Sequence, residues 1–259
     1  MSEVPTGQFV WYDLMTTDPD AAQDFYTKVI GWGTEAFEGG PKPYQMWTTQ
    51  NGPLGGVMEL PEEARASGAP PHWLAYIATD DVDATVAKAG ELGGQVYMQP
   101  MDIPDVGRFA VLSDPHGAVF AAFKPAGESP KHEGMPRVGE FSWHELMTED
   151  YGAAFDFYSE LFGWEKTTAM DMGEMGTYQM YGRAGGNELG GMMNRPPEMP
   201  VSCWTFYTRV DDLDGTLERV TSNGGQILNG PMEVPGGDKV AQCMDPQGAM
   251  FAVHWSAQA

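Results

Sequence analysis

The sequence predicts an α+β protein of four βαβββ modules, grouped as two tandem domains whose curved mixed sheets form concave cups. Three observations predict this fold class. The second half of the chain repeats the first, alternating apolar and polar residues mark short strands, and apolar residues at helical spacing mark a helix early in each module. With 259 residues, 42% of them apolar, the chain is long enough for two domains that each bury a core.

The internal repeat is clearest where FVWYDLMTTD at 9–18 aligns with FSWHELMTED at 141–150. The same order of motifs then continues in both halves at a nearly constant offset: Phe-Tyr, Gly-Trp, Leu-Gly-Gly, Gly-Gly-Gln and Asp-Pro-x-Gly. A segment rich in Pro, Gly and charged residues separates the halves and has no apolar period. We therefore predict domains at 1–125 and 139–259, joined by a linker at 126–138.

The elements of the first half are predicted in chain order. A strand at 8–15 alternates, Asp18 caps a helix that has Pro19 at its first position, and Gly31 ends this helix. The remaining elements are bounded by Gly and Pro, and they are strands near 43–49 and 53–59, a strand at 72–79, a helix at 82–92, and strands near 95–99, 107–113 and 118–124. The second half is expected to repeat the series.

Composition excludes several classes of function. A net charge of −23, from 14 basic and 37 acidic residues, opposes binding to nucleic acid. The acidity fits a solvated surface better than a cup that attracts cations, although both remain open.

No apolar run approaches the roughly 20 residues of a membrane span, and the first residues do not form a secretory signal. Cys203 and Cys243 lack CxxC spacing and fit reduced core thiols. We therefore predict a cytoplasmic monomer (an internal pseudo-dimer) or weak homodimer without membrane partners.

These modules and motifs resemble the vicinal oxygen chelate superfamily, which includes glyoxalase I, the bleomycin-resistance proteins and extradiol dioxygenases. The resemblance covers essentially the whole chain. Trp-x-Asp/Glu-Leu in the first strand, Phe-Tyr-(x)4-Gly-Trp after the helix, and Val-Gly-Arg-Phe at 106–109 carry it. The chain is most similar to two-domain glyoxalase-like proteins that are often labelled hydroxylases. Such motifs specify a fold better than a reaction.

In metal-dependent members, the resemblance implies His, Gln and Glu ligands for a divalent ion that polarises neighbouring substrate oxygens. The matching positions in this chain hold other residues, namely Trp11 and Trp143, Leu74 and Thr205, Ala121 and Ala252, and the stretches at 55–58 and 190–193. The five histidines are scattered, at positions 72, 116, 132, 144 and 254. His116 is expected in a surface turn, and His144 on the helix-packed face. We therefore expect no metal site and no cofactor.

If Trp11 and Trp143 face the cups, alternation places Asp13 and Glu145 beside them. Desolvation raises the pKa of a carboxylate on an apolar face unless it has partners, so Asp13 and Glu145 are the candidate catalytic bases. A carboxylate that ties a strand to a loop is the alternative, and it is weighted equally.

The candidate ligand-binding residues share the predicted cup faces, and they are Trp11, His72, Tyr76, Trp143, Thr205, Tyr207, Arg209 and His254. Tyrosine hydroxyls there can donate hydrogen bonds to a ligand oxygen. Whether modules pair within a domain or between domains stays open, so it is also open which of these residues face Asp13.

Two main functions are compatible with these features. The first is metal-independent binding, with or without lyase or isomerase chemistry, of a small carbonyl or hydroxylated compound. The second is a bleomycin-resistance-like protein that sequesters a small cationic or aromatic compound without catalysis. A scaffold whose cups are filled by side chains is a third, weaker hypothesis.

Overall fold

A computed structural model describes residues 5–39, 44–127 and 134–257 and confirms the predicted fold class. The first half consists of β1 Phe9–Thr16, α1 Pro19–Val29, β2 Gly33–Ala36, β3 Gln45–Thr49, β4 Gly52–Glu59, α2 Glu62–Ala66, β5 His72–Ala78, α3 Val82–Glu91, β6 Gln95–Ile103, β7 Gly107–Ser113 and β8 Val119–Pro125. The second half consists of β9 Phe141–Thr148, α4 Tyr151–Phe162, β10 Trp164–Asp171, β11 Thr177–Arg183, β12 Glu188–Asn194, β13 Cys203–Val210, α5 Leu213–Ser222, β14 Gln226–Glu233, β15 Lys239–Met244 and β16 Met250–Trp255.

Each half forms one eight-stranded mixed sheet. The strand order is β2-β3-β4-β1-β5-β8-β7-β6 in the first half, and the second half repeats it as β10-β11-β12-β9-β13-β16-β15-β14. In every module the first strand pairs parallel with the last, as β1 does with β4 and β5 with β8. We number the modules 1 to 4 by their first strands β1, β5, β9 and β13.

The predicted helix cap at Asp18 is confirmed. The side chain of Asp18 accepts a hydrogen bond from Ala21 N, and Pro19 follows at the first helical position. Asp81, Asp150 and Asp212 cap α3, α4 and α5 in the same way. An aspartate at this position satisfies backbone N–H groups that have no partner inside the helix.

The sequence pattern did not reveal strand β2 or the short helix α2. All four residues of β2 are exposed, and β2 is an edge strand, so no buried face imposes alternation on its sequence. None of the α2 residues is buried, so this helix also lacks an apolar stripe.

The chain folds into two compact units. Unit 1 comprises Met1–Val10, Ala75–Glu133 and Trp143–Trp204, and unit 2 comprises Trp11–Leu74, Gly134–Ser142 and Thr205–Ala259. In unit 1, helix α3 of module 2 packs against α4 of module 3; in unit 2, α1 of module 1 packs against α5 of module 4. The boundaries 1–125, 126–138 and 139–259 follow the duplication and stay a prediction. Residues 128–133 of the linker lie outside the described residues.

A buried chain of hydrogen bonds joins module 1 to module 4 inside unit 2. The indole Nε1 of Trp73 donates to Tyr26 Oη at 3.1 Å, and Tyr26 Oη donates to Asp245 Oδ2 at 3.2 Å. Asp245 Oδ1 accepts from the backbone N–H groups of Gln247 and Ala249, both at 2.9 Å. We call Trp73, Tyr26 and Asp245 the first buried relay.

The same chain recurs inside unit 1 and joins modules 2 and 3. Trp204 Nε1 donates to Tyr158 Oη at 3.1 Å, and Tyr158 Oη donates to Asp114 Oδ2 at 3.3 Å. Asp114 Oδ1 accepts from His116 N and Ala118 N. Trp204, Tyr158 and Asp114 form the second buried relay, which explains why Phe-Tyr and Asp-Pro-x-Gly occur in both halves.

Burial raises the pKa of Asp114 and of Asp245, and the backbone donors in each Asp-Pro-x-Gly turn oppose that rise. Burial also raises the pKa of Tyr26 and of Tyr158 well above the usual value, so both phenols stay protonated and act as donors. An indole N–H can only donate, so the direction of each relay is fixed from tryptophan to carboxylate.

Two smaller expectations also concern the fold. Cys203 and Cys243 are not joined in a disulfide, and burial raises the pKa of Cys243 to about 12. Within the described ranges, no helix has both the length and the apolar character required to cross a membrane.

Tyr26→Phe should lower the free energy of unfolding by about 2–3 kcal/mol, because it leaves a buried indole N–H and a buried carboxylate oxygen without their partner. Urea unfolding of the full chain measures the change. Tyr97→Phe is the matched control, since Tyr97 is 60% exposed and its loss should change stability by no more than about 0.5 kcal/mol. Equal effects of the two substitutions would contradict a stabilising role for the first relay.

Candidate functional site

The candidate residues Trp11 and Asp13 lie together in a hydrogen-bonded cluster in unit 2. Trp11 Nε1 donates to Tyr44 Oη at 2.7 Å and to Asp13 Oδ1 at 3.0 Å. Tyr44 Oη donates to the same Asp13 oxygen at 2.5 Å. Trp11 and Tyr44 are partly exposed, whereas Asp13 is only 3% exposed. We call these three side chains the first cluster.

The second cluster, in unit 1, repeats this arrangement with a glutamate. Trp143 Nε1 donates to Tyr178 Oη at 2.8 Å, and Tyr178 Oη donates to Glu145 Oε2 at 3.1 Å. Trp143 is partly exposed, and Glu145 is 7% exposed. Each candidate catalytic carboxylate therefore accepts a hydrogen bond from a tyrosine that itself accepts one from an indole.

Both clusters have a fixed polarity. Burial raises the pKa of Tyr44, and the negative charge of Asp13 raises it further. Burial and Glu145 do the same to the pKa of Tyr178. Each phenol is therefore neutral and donates to the carboxylate, while its oxygen accepts from the indole. A donor that is itself polarised by a second donor makes a stronger hydrogen bond.

The register of the strands shows which sheet face carries the first cluster. Tyr12, Gly55 and Trp47 are cross-strand partners and share one face, where Trp47 packs against Tyr26 of α1. Trp11 and Asp13 alternate with Tyr12, so they lie on the face away from α1.

In unit 1, His144, Gly190 and Tyr181 are cross-strand partners. Tyr181 stacks on Trp164, which also contacts Tyr158 of α4. His144 therefore lies on the helix-packed face, as expected, and Trp143 and Glu145 lie on the opposite one.

Two glycines make room for the cluster tyrosines. Gly56 is the cross-strand partner of Asp13, and a Cβ atom at Gly56 would lie 2.1 Å from Tyr44 Oη. Gly191 is the partner of Glu145, and a Cβ there would lie 2.2 Å from the ring of Tyr178. These contacts are far inside van der Waals distance, so each tyrosine ring occupies the space that any side chain at position 56 or 191 would need.

Tyr44 and Tyr178 are functional candidates that sequence reasoning missed. Both begin a Tyr-Gln-Met tripeptide, at 44–46 and at 178–180, at matching positions of the duplication. The repetition of this tripeptide in both halves is the sequence feature that could have identified the two tyrosines.

The other candidates of the first half do not join the first cluster. His72 Nδ1 lies 2.8 Å from the carbonyl oxygen of Pro70, and burial lowers the pKa of this imidazole. Tyr76 is 8% exposed and packs against Phe109 and Phe123, with ring centroids 5.9 and 6.0 Å away. Within unit 1, Tyr76 thus belongs to an aromatic group on module 2.

The candidates of the second half other than Trp143 and Glu145 lie on module 4 within unit 2, where polar contacts dominate. Tyr207 Oη accepts from Gln242 Nε2 at 3.0 Å, and Arg209 donates to the Pro136 carbonyl at 2.6 Å. His254 has a hydrogen-bond partner on each ring nitrogen. Thr205 is also on β13 and is only 2% exposed.

The positions where the resemblance implies metal ligands hold side chains that do not fit a metal ion. Ala121 and Ala252 are fully buried and have no donor atom, and Leu74 and Thr205 are nearly as buried. No group of three or more His, Cys, Asp or Glu side chains in the described part of the chain could hold a metal ion. The side chains present are better suited to hydrogen bonding than to coordination.

Two open surface depressions, of about 470 and 280 Å³, lie away from both clusters. The first is lined by α1 residues and Thr34, and the second by residues near α3 together with Glu160 and Leu161. None of the predicted site residues lines either depression. Their linings mix acidic and hydroxyl side chains with Gln23, Lys28 and Lys88, and neither contains a Trp–Tyr–carboxylate group, so we place the candidate site at the clusters.

Comparison with known proteins gives a consistent result. Residues 8–121 and 140–253 each match the Glyoxalase/Bleomycin resistance protein/Dioxygenase superfamily. CFP32 of Mycobacterium bovis, which bears a glyoxylase name, is 36% identical over 257 residues that cover 97% of this chain and 96% of CFP32. The anthracycline biosynthesis protein DnrV of Streptomyces peucetius is 32% identical over 98% of this chain and 94% of its own length.

Solved structures share the fold at low sequence identity. The Mn(II)-bound glyoxalase from Novosphingobium aromaticivorans aligns with a TM-score of 0.63 and 19% identity, over 100% of this chain and 84% of that one. The 2,3-dioxygenase LapB from Pseudomonas sp. KL28 aligns with a TM-score of 0.64 and 9% identity, over 99% and 93% of the two chains. At these identities the likeness extends to the fold alone.

His144 provides a pH-dependent prediction about the back of the second cluster. Its ring stacks on Phe9 at 3.8 Å, Nδ1 bonds the Leu189 carbonyl, and burial lowers its pKa to about 4 from 6.5. Between pH 6.5 and 4 the imidazole of His144 is protonated in the unfolded chain but stays neutral in the folded chain. Stability should therefore fall as pH decreases through that window, by an amount on the order of 3 kcal/mol.

Urea unfolding across pH 4–7.5 tests this dependence. His144→Asn keeps a donor near the Leu189 carbonyl and should remove the loss on the acid side. His116→Gln is the control, because Gln247 occupies the matching turn position in the second half. An unchanged slope in His144→Asn would show that another group titrates there.

Proposed function

The chain belongs to the Glyoxalase/Bleomycin resistance protein/Dioxygenase superfamily, and on that basis we propose that it binds a small carbonyl or hydroxylated compound at its two Trp–Tyr–carboxylate clusters and moves a proton without a metal ion. The duplicated hydrogen-bond chain carries this proposal. It holds one oxygen of a nearly buried carboxylate beside a partly exposed indole in each half.

The carboxylate is the group that would accept the proton. Asp13 or Glu145 takes a proton from a carbon next to the substrate carbonyl, and negative charge then develops on the carbonyl oxygen. A protonated carboxyl is a weaker acceptor, so the tyrosine hydroxyl is released to donate to that oxygen. Delivery of this proton to the former carbonyl carbon, together with transfer of the hydroxyl proton of the neighbouring carbon to the enolate oxygen, completes the isomerisation of an α-hydroxycarbonyl compound.

The alternative function is sequestration of a cationic or aromatic compound. A tyrosine hydrogen bond stabilises the charged form of the carboxylate, and the adjacent indole can bind a cation through its ring face. The net charge of −23 would attract such ligands. The glyoxylase and anthracycline names of the relatives indicate small organic compounds and are compatible with either function.

Hydrogen–deuterium exchange at carbon separates the two functions. Hydroxyacetone in D₂O is the probe, and proton NMR follows loss of its signals next to the carbonyl. We expect the protein to accelerate exchange, and Asp13→Asn/Glu145→Gln to lower the enzymatic rate by about 10²- to 10⁴-fold. The single variants should assign the activity to one cluster or both.

Asp20→Asn is the control for this experiment, because Asp20 is an exposed carboxylate in the first turn of α1. Exchange that survives the double substitution would contradict the proposed base. Sequestration would be supported by a different pair of results. Titration with tetramethylammonium or an anthracycline would quench the tryptophan fluorescence, and the protein would not accelerate hydrogen exchange in hydroxyacetone.

Removal of the tyrosine hydroxyl tests the second role. Tyr44→Phe and Tyr178→Phe keep the rings against Gly56 and Gly191 but lose the donor to the carboxylate. We expect the exchange rate to fall by about 10²-fold with little change in hydroxyacetone affinity. Tyr97→Phe is the matched control. A variant that loses affinity but keeps its rate would assign the tyrosine to binding only.

A further inference from the structure

A second group of polar side chains, on module 4 and at the start of β9 within unit 2, lies outside the two clusters. His254 on β16 is hydrogen-bonded through Nδ1 to Ser142 Oγ at 2.8 Å and through Nε2 to Asp238 Oδ2 at 2.9 Å. The His254 and Asp238 side chains are 18% and 26% exposed, and Ser142 is partly exposed. The three residues form a serine–histidine–aspartate chain.

Further hydrogen bonds fix the carboxylate of Asp238. Asp238 Oδ1 accepts from Ser256 Oγ at 3.2 Å and from Ala257 N at 2.9 Å. Burial opposes ionisation of Asp238, but the hydrogen bonds from His254, Ala257 and Ser256 outweigh it and keep the pKa of this carboxyl below its usual value. An ionised carboxylate only accepts, so His254 carries its proton on Nε2.

That tautomer leaves the lone pair of Nδ1 pointing at Ser142. The serine hydroxyl can donate to Nδ1 or to the Tyr207 carbonyl oxygen, which is 3.1 Å away. A serine hydroxyl bonded to an imidazole that a carboxylate orients is the arrangement that activates serine as a nucleophile. In a histidine, either ring nitrogen can carry the proton while the other accepts, because the hydrogen-bond partner of one nitrogen decides which of the two is protonated.

The first half has no equivalent of the Ser142, His254 and Asp238 group. The matching positions hold Val10 for Ser142, Phe123 for His254 and Gly107 for Asp238. The serine–histidine–aspartate group is therefore specific to module 4 and its neighbouring strand β9, and the duplication alone does not account for it.

We propose that Ser142, His254 and Asp238 form a nucleophilic site that takes an acyl group from an activated ester. Ser142 Oγ attacks the carbonyl carbon, and its proton passes to His254 Nδ1. The C–O bond to the alcohol breaks, and the leaving oxygen takes that proton from His254. Water then hydrolyses the acyl-serine with His254 as base, which returns the free hydroxyl and a carboxylic acid. Asp238 acts as a positioning residue, since it reaches the reaction only through His254.

Labelling of the full chain with a fluorophosphonate tests this proposal. In that reaction Ser142 Oγ forms a bond to phosphorus, fluoride leaves, and the serine proton passes to His254. Mass spectrometry of peptides should place one adduct at Ser142. Ser142→Ala should abolish the adduct, and His254→Gln should lower the maximal labelling rate by about 10²-fold or more while the half-saturating probe concentration stays the same. Asp238→Asn should also lower the maximal rate.

Ser67 is the internal control. Its exposed hydroxyl donates to the Ala64 carbonyl at 2.7 Å, so it has a backbone acceptor like Ser142 but no imidazole. Ser67→Ala should leave labelling unchanged. Circular dichroism of each variant separates loss of reactivity from loss of fold. A folded wild-type chain without an adduct at Ser142, or equal labelling rates in wild type and His254→Gln, would overturn the proposal.

Discussion

Burial of a carboxylate that must still be hydrogen-bonded is the constraint on which the rest of this structure depends. Asp114 and Asp245 end up almost inaccessible to water, and each is satisfied by two backbone N–H groups of its own turn and by a tyrosine hydroxyl from a helix of the other half. A buried acceptor without partners is costly. The buried relays therefore make each turn and its partner helix interdependent.

The chain uses the order tryptophan, tyrosine, carboxylate a second time, on the opposite face of each sheet. The chemistry is the same, but the surroundings differ. Tyr26 and Tyr158 are fully buried among aromatic rings, whereas Trp11 and Trp143 remain partly exposed. Complete burial favours a structural role for the relays. Partial exposure places the edge of an indole at the surface beside an oriented, buried carboxylate, and on that basis we propose a function for the clusters.

Local patterns predicted much of this arrangement. The aspartate caps, the helices and the faces of Trp11, Asp13 and His144 follow from spacing along single strands and helices. Contacts between distant segments could not be derived this way. Tyr26 and Asp245 are 219 positions apart, and Tyr44 precedes a strand whose register fixes its ring over Gly56. The repeated Phe-Tyr, Asp-Pro-x-Gly and Tyr-Gln-Met motifs signalled these residues, but no sequence rule states which of them meet.

The glycines beneath the cluster tyrosines also limit how this chain can change. Position 56 lies in the stretch where metal-dependent relatives are expected to place a ligand, and a Cβ there would collide with Tyr44. A carboxylate at position 56 would therefore require the tyrosine ring to move away, and its departure would remove one of the hydrogen bonds that Asp13 Oδ1 accepts. Steric exclusion at one backbone position therefore couples the identity of residue 56 to the presence of the tyrosine at position 44.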